Sequence, residues 1–165
     1  MEARKETARR KQPKSKQENL MRVRKRDGSL VPVDVTKIVK RVTECSEDLR
    51  DIDPHRVAIK AISGLYDGAT TKELDNLAIQ TAAMLIGEEP QYSFLASRLL
   101  GVYIDKEVRN LGIESFQNSV EFGHKKGLIA KKTLDFVTEN REALEKIIKE
   151  RRNEKFQYFG LRTVY

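Results

Sequence analysis

Apolar residues recur along this chain in two rhythms. Met21 to Arg26 and Leu30 to Val33 are β-prone runs separated by Asp27-Gly28, a dipeptide that takes the positive φ of a tight turn, and together they predict a hairpin. From Val35 the spacing becomes helical: Val35, Ile38, Val39, Val42 and Cys45 fall on one face and predict a helix over 35–49, with Asp34 as its N-cap. A second helix is predicted from Asp53-Pro54, a cap followed by proline at the first helical position, through Val57, Ala61, Ile62 and Leu65. The third starts at Thr70 or Thr71, where Thr70 and Glu73 have capping-box spacing, and carries Leu74, Leu77, Ala78, Ala82 and Leu85. A fourth runs from near Tyr92 through Leu95, Leu99, Val102 and Tyr103 toward Arg109, with Gly112 as its stop.

Four apolar stripes joined by short connections pack most simply as a bundle with the hairpin laid over one end. The expected fold class is therefore α+β and mostly helical: a small helical bundle capped by a short β-hairpin, followed by additional helices. After Gly112 the pattern shortens to Phe116 with Val120, Leu134 with Val137, and Leu144 with Ile147 and Ile148, with Gly123 and Gly127 expected to break it. The expected organisation is a tail over 1–20, a hairpin-capped bundle over 21–112 and a helical segment over 113–165.

Charge changes the picture at the N-terminus. Of the net +7, much lies in residues 1–20, which hold seven Lys or Arg against three Glu, almost no apolar residue, and Pro13. Such a segment cannot offset its ordering entropy by burial, so a solvated, disordered tail is expected. No aromatic residue is interleaved to stack on bases, which argues against nucleic acid as its partner. No apolar run approaches the length that crosses a bilayer, and the basic start lacks the apolar stretch of a secretory signal, so a cytoplasmic location without membrane contact is expected. The single cysteine, Cys45, lies on an apolar helical face and reads as a buried structural residue; it can form neither an internal disulfide nor a multi-cysteine metal site.

The candidate chemistry sits on the hairpin. Its rim is basic, and Asp34 starts a helix beside it, a place that favours anions. Taken singly, such cations are usually a solvated edge that discourages strand-to-strand aggregation. Lys25 and Arg26 are also neighbours, and on a flat strand they would point to opposite faces, so the turn must bring both heads to one anion. His124, in a Gly-His-Lys-Lys-Gly stretch, is expected to be an exposed loop residue.

The run Val23-Arg24-Lys25-Arg26-Asp27-Gly28, then Val31-Pro32-Val33-Asp34 and Lys37-Ile38, resembles the ATP-cone, the regulatory nucleotide-binding module at the N-terminus of many ribonucleotide reductase large subunits. Gly64-Leu65-Tyr66-Asp67-Gly68, Thr70-Thr71-Lys72-Glu73-Leu74 and Tyr92 to Leu100 follow as the family's later landmarks, in order. Residues 115–165 are similar to the helical lead-in of the reductase catalytic domain, most clearly at Phe159-Gly160-Leu161-Arg162-Thr163-Val164-Tyr165.

The resemblance implies a nucleotide site. Lys25 and Arg26 correspond to the phosphate-contacting pair and Lys37 to the lysine near the start of the first helix. Thr71 would offer its hydroxyl, Lys106 would approach as a mobile point charge, and Val23 would line the base. Val31 stands where some relatives carry glutamate, so a sugar contact there would pass to Asp34. Asp75, one turn after Thr71, would repel phosphate unless Mg2+ or Lys72 intervened.

The implied ligands are ATP and dATP as allosteric effectors with Mg2+, in the regulatory region of a ribonucleoside-diphosphate reductase controlling deoxyribonucleotide synthesis for DNA replication. The implied partners are the rest of the large subunit and a radical-generating small subunit, with self-association promoted by dATP. Catalysis in that family needs three cysteines on a barrel, so this segment is expected to be non-catalytic, with neither a catalytic nor a protein-held metal residue. Two rivals stand beside this reading: a free-standing ATP-cone regulator, whose family adds a zinc ribbon of paired cysteines, and a plain helical interaction module whose basic hairpin meets an acidic partner.

Overall fold

The computed structural model describes residues 21–165; the basic segment 1–20 lies outside the described residues. Two short strands, β1 (Arg22–Arg24) and β2 (Leu30–Pro32), pair antiparallel with Val23 opposite Val31. Four helices follow: α1 (Val35–Cys45), α2 (Pro54–Ser63), α3 (Thr71–Met84) and α4 (Tyr92–Asn110). Beyond them come α5 (Phe116–Lys125), α6 (Lys131–Glu139), α7 (Arg141–Ile147), a 3-10 turn (Glu150–Lys155) and α8 (Tyr158–Val164). The α+β, mostly helical class expected from the patterning is the class observed.

The hairpin is shorter than expected and its turn is longer. Lys25 N–H donates to Ser29 O at 2.8 Å and Gly28 N–H to Lys25 O at 3.0 Å, which leaves Arg26, Asp27 and Gly28 as a three-residue loop. Gly28 supplies the left-handed residue such a loop requires, at φ 85. Lys25 and Arg26 therefore lie beyond β1 and escape strict strand alternation.

A second edge of β1 is also occupied. Gly68 N–H donates to Arg22 O at 2.7 Å, Arg24 N–H donates to Ala69 O at 2.9 Å, and Arg24 makes a parallel bridge with Thr70. Because Thr70 is the N-cap of α3, this pairing fixes the start of α3 beside the hairpin. The capping box expected from sequence is formed: Glu73 N–H donates to Thr70 Oγ1 at 3.1 Å, and Thr70 N–H to a Glu73 carboxylate oxygen at 2.7 Å.

Helix α1 stops four residues before the expected 49. Arg98 of α4 donates to the Cys45 and Glu47 carbonyls at 3.2 and 2.7 Å, satisfying acceptors that a longer helix would have used internally. Asp48 then turns the chain at φ 66. The apolar spacing continued through Leu49 because Leu49 still packs on the core from this loop.

The bundle core is built where α1 meets α2, α2 meets α3, and α3 meets α4. Val42, Val57, Leu95 and Leu100 are fully enclosed in it, and Ile79 is buried beside them. Ala58 and Ala61 of α2 and Ala78 and Ala82 of α3 are buried in the same core, small residues of the kind that let helices approach closely. A smaller cluster of Ile38, Leu65 and Ala69, with Val33, Leu74 and Leu77 around it, seats the hairpin on the bundle. The lone thiol, Cys45, is buried as expected, and desolvation pushes its pKa up.

Past Gly112, which ends the fourth helix region at φ 73, α5 pairs with α6, while α8 returns to α4. Tyr158 and Leu161 pack on the bundle core, and Tyr158 N–H donates to Ser93 Oγ at 3.1 Å. Two expectations in this region are corrected. Gly123 does not break a helix; it is buried within α5, where a Cβ would come within 2.7 Å of Ile129, so the glycine makes room for the chain folding back. His124 is on α5 and half-buried, with Nδ1 at 2.8 Å from Ile129 O, instead of lying in an exposed loop.

Candidate functional site

Three of the sequence-derived site residues meet in one ion-pair network between the hairpin loop, α3 and α4. Asp75 receives Lys106 Nζ on both oxygens, at 2.7 and 2.8 Å, and the Arg26 guanidinium at 3.5 Å. Arg26 Nε also donates to Glu107 Oε1 at 2.8 Å, and Lys72 Nζ holds the other Glu107 oxygen at 2.7 Å. The Arg26 side chain is only 18% exposed, and its guanidinium lies 5.8 Å from the centre of the Tyr103 ring. Tyr103 in turn meets Tyr165 of the C-terminal segment edge to face at 6.2 Å.

The register of the elements explains this convergence. Pairing of β1 with 68–70 sets the hairpin loop over the first turns of α3, so Lys72 and Asp75 lie beneath Arg26. On α4, Tyr103 and Glu107 are one turn apart and share a face. Three cations thus share two carboxylates. Such a cluster holds its own charges in check, and an arriving polyanion would exchange carboxylate for phosphate on Arg26 and Lys106.

The other sequence-derived residues lie elsewhere or remain unengaged. Asp34 caps α1, accepting from Lys37 N–H at 3.3 Å, and Lys37 Nζ folds back to it at 3.4 Å, so these two form an exposed pair of their own. Lys25 is exposed and has no ion pair among the described residues. Thr71 is the first residue of α3 and half-buried; the cap is its neighbour Thr70. Val23 is 5% exposed, closed beneath the hairpin opposite Val31.

The geometry bears on three of the sequence readings. Lys25 and Arg26 share no partner among the described residues: the loop sends Arg26 to α3 and α4 and leaves Lys25 in solvent. Lys106 is not a mobile charge but a bidentate partner of Asp75. Lys72 neutralises Glu107 and not Asp75. Sequence reasoning also missed Glu107; its spacing of one turn from Tyr103, beside Lys106, was the available signal.

Hydrogen bonds from Lys72 and then Arg26 hold the Glu107 carboxyl below its ordinary pKa, and Lys72 is raised by the same bond. A depressed acid stabilises the folded state above its unfolded pKa, and that contribution disappears as pH falls through the folded value. Melting temperatures of the native chain and a Glu107→Gln variant should therefore differ at neutral pH and converge on acidification below the ordinary glutamate range. Parallel curves throughout would remove Glu107 from the acid response.

Fold and site together define a hairpin-capped helical bundle with a basic loop held over two helices. Residues 21–107 match the family model described as the ATP cone domain, and the chain belongs to that family. It is also 36% identical over 147 residues to the ribonucleoside-diphosphate reductase large subunit of Caenorhabditis elegans, across 85% of this chain and 19% of that protein. The large subunit of Danio rerio is 34% identical over 152 residues, covering 87% and 19%. That of Vaccinia virus (strain Copenhagen) is 32% identical over 151 residues, covering 87% and 20%. The chain thus spans about a fifth of the length of these curated relatives. Among the described residues no helix is long and apolar enough to cross a membrane.

Proposed function

We propose that this chain is the N-terminal allosteric region of a ribonucleoside-diphosphate reductase large subunit, binding ATP or dATP and so regulating deoxyribonucleotide synthesis for DNA replication. In this reading residues 21–112 form the cone, 113–165 lead toward an oxidoreductase barrel, and the segment itself is non-catalytic and works in the cytoplasm. The observation that carries the reading is the network of Arg26, Lys106 and Lys72 over Asp75 and Glu107, at the junction of hairpin, α3 and α4. It gathers exchangeable cations where the family's nucleotide module has its landmarks. Similarity to the large subunits extends over more residues than the 21–107 span holds, which favours a reductase over a free-standing cone.

The triphosphate would take Arg26 and Lys106 from their carboxylates, with Lys25 and Lys37 adding charge from the hairpin side and Thr71 a hydroxyl. Asp34 completes the proposed set for the sugar, and Val23 backs the base from beneath the hairpin. Asp75, already between two cations, is the carboxylate suited to meet a Mg2+ carried by the nucleotide, whose charge would replace theirs. For ATP and dATP to act differently they must favour different arrangements, since equal affinity for two states shifts no equilibrium. In the proposed switch dATP promotes self-association or docking on a radical-generating small subunit.

The test is thermal unfolding with ATP, dATP and, as a control, inorganic phosphate. A ligand at a hundred times its Kd stabilises by about 2.7 kcal/mol, so a clear rise in melting temperature is expected with either nucleotide and little with phosphate. No selective rise would favour a plain helical interaction module. Light scattering on the same samples should give a larger mass with dATP than with ATP.

A further inference from the structure

A groove of about 890 Å3 opens between the end of α1, α4, and the segments after α4, and it shares no residue with the Arg26 network. Six carboxylates but only two guanidinium groups line it. Four of the carboxylates, Glu47, Asp105, Glu114 and Glu154, have no ion pair among the described residues, and all four are exposed. Apolar side chains, among them Val102 and Ile113, line it as well. Ser97, 2% exposed, also lines the groove, and its Oγ has no hydrogen-bond partner among the described residues.

Nucleotide phosphates would be repelled here. Lysine and arginine side chains suit the lining, because their heads can meet carboxylates while their methylene stems cover apolar surface. We propose that the groove receives the chain's own basic segment, residues 1–20. That segment holds seven Lys or Arg against three Glu, so its charge complements the lining.

Its tether also fits. The segment joins the fold at Met21, whose carbonyl accepts from Val33 N–H next to the start of α1, and the groove begins at the other end of α1. Helix α1 has 11 residues and spans roughly 16 Å, whereas 20 extended residues reach roughly 65 Å. More than half of the segment is left to lie along the groove.

The test uses a fluorescent synthetic peptide of residues 1–20, titrated at low salt into two versions of the 165-residue chain. One is native. In the other Arg4, Lys5, Arg9, Arg10, Lys11, Lys14 and Lys16 are changed to glutamine, which empties the groove of its tethered occupant. The peptide should bind the neutralised chain saturably and the native chain at least tenfold more weakly, because a tethered segment competes at high effective concentration. Adding Glu114→Gln with Glu154→Gln to the neutralised chain should weaken the peptide about tenfold, and so should Glu47→Gln with Asp105→Asn. Melting temperatures identify any variant that has lost the fold, and the second pair then decides. Equal binding to both chains, no saturable binding to the neutralised one, or indifference to both carboxylate pairs would overturn the proposal.

Discussion

Alanine at Arg26 is expected to weaken ATP and dATP alike by about 1.5–3 kcal/mol, roughly 10- to 150-fold in Kd. The guanidinium is shielded, lies against the Tyr103 ring, and is already oriented by Glu107 and Asp75, so little of its freedom remains to be lost when phosphate replaces a carboxylate. The fold should tolerate the change, because Lys72 still holds Glu107 and Lys106 still holds Asp75. The same substitution at exposed Lys25 should cost less, since solvent and salt screen its charge. Titration calorimetry at fixed ionic strength decides it. Unchanged affinity in both variants would remove the hairpin from the nucleotide site.

The largest expected loss of stability comes from Leu95→Ala. Leu95 is fully buried on α4, within the cluster that joins α4 to the rest of the bundle, and the truncation leaves a cavity that close-packed neighbours can only partly fill. A loss of about 2–5 kcal/mol is expected, against almost none for Ile59→Ala, whose side chain is 65% exposed on α2. Urea or thermal unfolding of the two variants makes the comparison. Equal stabilities would mean that Leu95 is not enclosed between α4 and the rest of the bundle.

The helices were legible because their apolar residues repeat at helical spacing and their caps are local chemistry. Asp53-Pro54, Thr70 with Glu73, and Asp27-Gly28 each specify a start or a turn within a few residues of chain. The end of α1 was not legible, since it depends on Arg98, some fifty residues away, reaching its carbonyls. Gly123 misled for a related reason: a glycine that admits Ile129 looks, in sequence, like a helix breaker. At the candidate site the residue types could be named from the family motifs, but their pairing could not. Which carboxylate takes which cation depends on the facing of α3 and α4, and that is why Glu107 went unnoticed and Lys72 was weighed, as an alternative to Mg2+, only beside Asp75.

The backbone pairing of β1 with 68–70 ties two distant pieces of chain into one opening unit. A hairpin with three-residue strands is marginal by itself, and here its outer edge is closed by the peptide that starts α3. The amides of Arg24 and Gly68 are both spent on that seam, so neither can exchange with solvent unless hairpin and helix start separate. Local unfolding at the loop therefore releases Arg26 and the first turn of α3 in the same event, and any ligand that binds across them suppresses that event as a whole.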